Sequence, residues 1–76
     1  MTNPVMTTTR IIECAEEIHE TARELMALGP TISIAHVDRA VAEIRLNLAI
    51  MQASCKMLAE AASVRNTNQL QISVNN

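Results

Sequence analysis

Residues 37–64 of the chain, VDRAVAEIRLNLAIMQASCKMLAEAASV, decide its fold. Apolar or small side chains recur in this stretch at alternating spacings of four and three residues, which is a heptad pattern. The positions are Val37, Val41, Ile44, Leu48, Met51, Cys55, Leu58 and Ala62. Such a pattern predicts a long helix that keeps one face against a partner helix.

A second apolar stripe runs along the same stretch. It consists of Ala42, Leu46, Ile50, Ala53, Met57, Ala61 and Val64. At about 100° per residue, Leu46 and Leu48 lie about 160° apart around the helix axis, so the two stripes occupy nearly opposite faces. A helix that is apolar on two sides is predicted to be buried on two sides.

Residues 10–28 repeat the heptad pattern and are predicted to form a first helix. Its seam consists of Ile11, Ala15, Ile18, Ala22 and Leu25. Thr9 is the expected N-cap, because its hydroxyl can accept a hydrogen bond from a free backbone N–H. The helix is predicted to end at Gly29 and Pro30, since glycine suits a left-handed C-cap and proline cannot continue the hydrogen-bond ladder.

The connection over residues 29–33 is short, and short connections join antiparallel neighbours. Ser33 is the better N-cap candidate for a second helix over 34–65, with Thr31 second. The predicted fold class is therefore all-α, an antiparallel two-helix hairpin. Its intrachain core is predicted to consist of Ile11, Ala15, Ile18, Ala22, Leu25, Val41, Ile44, Leu48 and Met51.

The unequal lengths of the two predicted helices favour self-association. The second extends beyond the first by about 13 residues, or ~20 Å, and nothing in the hairpin covers this overhang. A chain of 76 residues is also marginal as a monomer. We therefore assign the second stripe to an oligomer interface, most simply in a homodimer that forms a four-helix bundle. The predicted interface residues are Leu46, Ile50, Ala53, Met57, Ala61 and Val64.

Two terminal segments lie outside the predicted hairpin. Residues 1–9 are polar and Thr-rich, and we expect them to be flexible. Residues 67–76 are predicted to be a flexible polar tail, because their few apolar side chains cannot offset the entropy lost on fixing the backbone. Leu70, Ile72 and Val74 alternate with the polar Gln71 and Ser73, which is the pattern of a β-strand. The alternative is therefore that this tail forms a strand that adds to the sheet edge of a partner.

The composition argues against several classes of partner. The chain has no Phe, Tyr or Trp and a net charge of −2, so it lacks the basic surface and stacking groups of nucleic-acid-binding proteins. The N-terminus, MTNPVMTTTR, has no signal-peptide pattern, and no uncharged run of the second helix could cross a bilayer. Both cysteines fall inside helical patterns, which favours a reducing compartment. We expect a cytoplasmic protein with no nucleic-acid and no membrane partner.

Catalytic and metal-binding patterns are weak. Glu16 and His19 have the Glu-x-x-His spacing of di-iron bundles, with Glu43 expected opposite His19. On a helical wheel, however, Glu16 points away from the seam, where the metal site of a bundle must lie. Cys14 lies among acidic side chains, the wrong electrostatic setting for a thiolate nucleophile. We therefore predict no enzyme activity, no catalytic residues, no metal and no cofactor.

The layout of two antiparallel helices joined at a Gly-Pro turn is similar to several small bacterial helical classes. Type III secretion needle subunits and their small chaperones share this size and shape. Residues 22–30, ARELMALGP, followed by a long Ala-rich helix, resemble TraM-like quorum-sensing antiactivators. That resemblance implies a helical protein that associates through its longer helix.

Two functions fit these patterns. The first is a non-catalytic helical protein that self-associates and binds another, unidentified protein as a regulator or chaperone, for example in the manner of an antiactivator. The alternative is a structural subunit of a helical assembly, such as a secretion or motility apparatus, in which both faces of the second helix are used head to tail.

Overall fold

The chain folds as an antiparallel hairpin of two helices, which confirms the predicted all-α class. The computed structural model describes the backbone of residues 3–75 and the side chains of residues 3–65. Helix α1 (Pro4–Leu28) is followed by a 3-10 turn (Gly29–Thr31) and helix α2 (Ile34–Asn75). The hairpin measures 67 × 17 × 17 Å. Its length is set by α2, because 42 residues extend about 63 Å at 1.5 Å per residue.

Helix α1 begins at Pro4, so the predicted start at Arg10 was wrong. The N-cap is Asn3, whose Oδ1 accepts hydrogen bonds from the N–H groups of Val5 and Met6 at 3.0 and 3.4 Å. Asparagine is a favoured N-cap, and proline suits the first helical position because its missing N–H would have had no helical partner. The segment 1–9, which we expected to be flexible, is therefore helical from Pro4 onward.

The hydroxyls of the threonine-rich start of α1 bond to the helix itself. Each of three consecutive threonines donates to the carbonyl oxygen four residues earlier: Thr7 to Asn3 at 2.9 Å, Thr8 to Pro4 at 2.7 Å and Thr9 to Val5 at 2.8 Å. These bonds satisfy polar side chains that would otherwise compete with the helix. Thr9 thus lies inside α1 and is not its N-cap.

The turn matches its predicted bounds, since residues 29–33 separate the two helices. Gly29 has φ = 52° and its N–H bonds to the carbonyl of Met26, which ends α1. Ser33 caps α2 as predicted, because its Oγ accepts from the N–H of His36 at 3.3 Å. Thr31, the second candidate, instead donates its hydroxyl to the carbonyl of Leu28 at 2.6 Å.

Helix α2 continues to Asn75, so the predicted end near Arg65 was wrong. The sequence after Pro30 contains no glycine or proline that could stop it. The backbone over Leu70, Ile72 and Val74 is helical, not extended. The side chains of residues 66–75 lie outside the described part of the chain, and the mobility expected for 67–76 stays a prediction.

The two helices meet along a seam of small residues. The side chains buried between them are Thr7, Cys14 and Thr21 of α1 and Ala40 and Ser54 of α2. Larger residues alternate with these along the seam and are half-buried: Ile11, Ile18, Leu25, Leu28, Ile44, Ile50, Met51 and Leu58. Asn47 and Ala61 are half-buried as well. Small side chains at the contact let two helix axes approach closely, which explains why they occupy the centre of the seam.

The predicted intrachain core was therefore correct at alternate positions only. Ile11, Ile18, Leu25, Ile44 and Met51 are half-buried, as members of the seam. The other four predicted core residues are exposed: Ala15, Ala22, Val41 and Leu48. In three of these four cases the buried residue lies one position earlier in the chain, so each helix is rotated about its axis relative to the predicted seam.

Candidate interaction surfaces

The four misassigned core residues lie together on one side of the hairpin. Each comes directly after a seam residue in the sequence. Along a right-handed helix, each residue is rotated about the helix axis by about 100° from the one before it, always in the same direction. Because α1 and α2 are antiparallel, the same sense of rotation directs these positions to the same side of the pair. We call this side the open face and define it by Ile12, Ala15, Ala22, Val37, Val41 and Leu48.

The open face is apolar and largely uncovered. Ile12 is 52% exposed, Val37 41%, Val41 39% and Leu48 44%. The half-buried Ile11, Ile18, Leu25, Ile44 and Met51 of the seam lie between this face and the small buried residues. The open face therefore continues the core outward across both helices.

The second stripe of α2 lies partly where the sequence predicts it. Leu46 is 64% exposed, Met57 43% and Val64 62%, and Ala53 is also exposed. The remaining two predicted interface residues are half-buried within the hairpin: Ile50 and Ala61. The intrachain seam reaches these two positions because it is rotated toward the second stripe. The stripe is thus a surface of α2 whose edge is shared with the hairpin core.

A groove of about 480 Å³ lies between the start of α1 and the middle of α2. It is lined by Met6, Thr7 and Arg10 on one side and by Ile50, Ala53, Ser54 and Met57 on the other. Among the described residues, Arg10 is the one charged side chain that lines it. The groove can accept apolar side chains, with the guanidinium available to a carboxylate at one edge.

The turn end of the hairpin carries the most polar cluster. The hydroxyl of Thr21 donates to Glu43 Oε2 at 3.2 Å, across the two helices. A cleft of about 100 Å³ beside this bond is also lined by Glu24, His36 and Arg39. This volume is well below that of a small-ligand site, since ligand pockets span about 300–1,000 Å³.

The side chains of Ser33 and His36 are hydrogen-bonded to each other, with 2.9 Å between Oγ and Nδ1. The same two residues also exchange bonds with the backbone: the N–H of Ser33 donates to Nδ1 at 3.0 Å. This reciprocal pattern is a capping box in which histidine replaces the usual Glu or Gln. Nδ1 of His36 accepts a hydrogen bond from a backbone N–H, so the Ser33–His36 pair has the geometry of a helix cap.

The candidate metal ligands do not converge. Glu16 and His19 are exposed on α1, and Glu43 accepts the hydrogen bond from Thr21. Among the residues whose side chains are described, no three His, Cys, Asp or Glu lie close enough together to hold a metal ion. Of the two free cysteines, Cys14 is buried and Cys55 is exposed.

Within the described part of the chain, neither helix is long and apolar enough to cross a membrane. Comparisons with known proteins add no relative: no protein-family model, no curated protein and no solved structure matches the chain.

The sequence contained a signal for the true seam that the apolar pattern concealed. Thr7, Cys14 and Thr21 are spaced by seven residues, and so are Ala40, Asn47 and Ser54. A period of seven in small side chains on two helices indicates close packing, even though four of these six residues are polar. Met6 of the groove gave no signal of this kind, because the segment before Arg10 was not predicted to be helical.

Proposed function

We propose that this chain is a non-catalytic helical protein that self-associates and binds another protein as a regulator or chaperone. One observation carries the proposal: no large side chain is fully buried within the described hairpin, while twelve large apolar side chains are exposed. The five buried residues are all small. A hairpin with this distribution leaves its apolar residues for contacts with other chains.

The accessible surface supports self-association. The chain exposes 6211 Å², whereas a compact monomer of 8.3 kDa exposes about 4,600 Å². The excess is about 1,600 Å² per chain, and a standard interface takes about 800 Å² from each partner. A standard interface would use half of the excess, and the elongated shape of the hairpin can account for the rest.

A protein partner is supported by the apolar surfaces on opposite sides of α2. The open face and the second stripe are turned away from each other, so one closed contact cannot cover both. The groove lined by Met6, Ile50 and Met57 lies beside the second stripe and spans residues 50–57 of α2, about two helical turns, so it can receive the apolar side chains of an amphipathic partner helix. Two separate apolar surfaces allow the chain to self-associate through one of them and to bind another protein through the other.

The test has two parts. Multi-angle light scattering over a range of concentrations measures the mass of the purified chain, and the proposal expects at least twice 8.3 kDa. Affinity capture from a native extract, with Met57→Lys as a matched variant, then asks whether a partner depends on the groove. A protein retained by the wild type and lost with Met57→Lys supports the proposal. A stable monomer at micromolar concentration would overturn it.

The alternative function, a subunit of a helical assembly, is favoured by the same two-sided exposure of α2, with Leu46 and Leu48 both exposed. Contacts between different surfaces of successive copies do not close and build filaments. In that case the scattering mass rises with concentration without reaching a limit, whereas a closed dimer reaches a constant mass.

A further inference from the structure

We infer that a second copy of this chain docks on the open face, with α1 of each copy against α2 of the other. The product is a four-helix bundle in which all neighbouring helices are antiparallel. The inference rests on the proposed function, because it names the surface through which the proposed self-association takes place. It also reassigns that surface, since the sequence alone predicts the second stripe for this contact.

The first argument is the continuity of the open face with the core. Ile11, Ile18 and Leu25 on α1 are half-buried, and they lie between the small seam residues and the open face. Ile44 and Met51 have the same position on α2. In a four-helix bundle each helix contacts two neighbours, and the large apolar residues fill the centre between both contacts. A copy on the open face would complete the burial of these side chains, whereas a copy on the second stripe would lie on the opposite side of the hairpin and leave them half-exposed.

The second argument is charge. Helix α1 carries five acidic and two basic side chains, and α2 carries three acidic and four basic ones. The net charges are therefore −3 for α1 and +1 for α2. An arrangement that places α1 beside α1 of the second copy brings two acidic helices together. Placing α1 beside α2 of the second copy avoids this, because a helix of net charge −3 then lies next to one of net charge +1.

This arrangement fixes which residues meet. Its two-fold axis runs along the bundle, so both turns lie at one end and equal heights are preserved between copies. Within the hairpin, the hydrogen bond between Thr21 and Glu43 places these two residues at similar heights. Counting six residues from each toward the open end of the hairpin leads to Ala15 and Ala49, so Leu48 lies within about 1.5 Å of the height of Ala15. In the dimer, Ala15 of one copy faces Leu48 of the other.

The first test compares two leucines on opposite faces of α2. Leu48→Lys places a charge on the open face, and Leu46→Lys places the same charge on the second stripe. Both leucines are exposed in the hairpin, 44% and 64%, so a lysine can reach solvent at either position in a monomer. We expect Leu48→Lys to raise the dissociation constant of the dimer about tenfold or more, because the substitution acts twice in a symmetric dimer. Leu46→Lys should leave the dimer mass unchanged.

The second test separates loss of the dimer from loss of the fold. Ala15→Glu changes an exposed alanine to another good helix former and should also yield monomers. Mixing the Ala15→Glu chain with the Leu48→Lys chain should then restore a dimer, since the new carboxylate of one copy faces the new ammonium of the other. A restored dimer would show that each variant chain can still fold against a complementary partner, so loss of the dimer in the single variants would not reflect a general folding defect.

The outcomes separate the two levels of the proposal. A monomeric wild type overturns the proposed function itself. A wild-type dimer that dissociates with Leu46→Lys and survives Leu48→Lys overturns the choice of face alone. If both single variants on the open face are monomeric but their mixture forms no mixed dimer, the pairing of α1 with α2 is wrong. Dissociation by both variants, with a restored mixed dimer, supports the inference.

Discussion

The hydroxyl of Thr21 on α1 donates a hydrogen bond to the carboxylate of Glu43 on α2, with 3.2 Å between Oγ1 and Oε2. Thr21 is 6% exposed and belongs to the seam of small side chains. The bond joins the two helices and fixes their register at the turn end of the hairpin. It also gives a buried hydroxyl a partner, which an apolar seam would not supply.

Thr21→Val should destabilise the hairpin by about 0.5–1.5 kcal/mol, because it removes this donor and keeps the shape of the side chain. Thr8→Val is the matched control, since its hydroxyl bonds only to a carbonyl of its own helix at an exposed position. Urea unfolding followed by circular dichroism, at one fixed protein concentration, measures both. Equal losses for the two variants would show that the Thr21–Glu43 bond does not contribute to stability.

The fold class was predictable because it depends on periodicity and on the Gly-Pro turn, both of which are local in the sequence. The seam was not, because Val41 and Leu48 are more apolar than Ala40 and Asn47 and so define the stronger pattern. Burial follows the closest approach of the two helices, and small residues allow that approach. The stronger pattern instead marks the face that the hairpin leaves uncovered.

Ala40→Leu should therefore destabilise the chain, although it makes a heptad position more apolar. Ala40 is 5% exposed between the helices, and overpacking a tight contact costs about 1–3 kcal/mol. Val41→Leu, one position later and 39% exposed, should change the free energy of unfolding much less. Thermal unfolding of both variants decides the point. The opposite ranking would restore the seam predicted from the apolar pattern.

Asn3→Ala should destabilise the start of α1 by about 1 kcal/mol, because it removes the acceptor for the N–H groups of Val5 and Met6. Thr9→Ala should cost less, since Thr9 lies inside the helix and bonds only to the carbonyl of Val5. Amide exchange at Val5 and Met6 reports the loss directly. A larger effect from Thr9→Ala would place the N-cap at the position expected from the sequence.

His36→Leu should weaken the start of α2 by about 0.5–1.5 kcal/mol, because the N–H of Ser33 loses its acceptor at Nδ1. His36→Gln is the matched control, since glutamine is a usual partner at this position of a capping box and keeps an acceptor. The helical signal and the unfolding midpoint should follow the order wild type, His36→Gln, His36→Leu. Equal stability of the two variants would mean that the histidine bond contributes nothing to the cap.

The two cysteines should differ in reactivity, and the difference should depend on dimer formation. Cys14 is 5% exposed in the seam, so a thiol reagent should reach it only when the hairpin opens. Cys55 is exposed and follows the buried Ser54, which places it on the side of the open face.

At low protein concentration Cys55 should react as a free thiol. Its labelling rate should fall as the protein concentration rises, because a second copy then covers the open face. Leu48→Lys should remove this concentration dependence, while Leu46→Lys should preserve it. Mass spectrometry after timed maleimide labelling resolves the two sites, with Cys14→Ala to isolate Cys55. A dimer in which Cys55 reacts at the same rate at every concentration would place the contact on another surface.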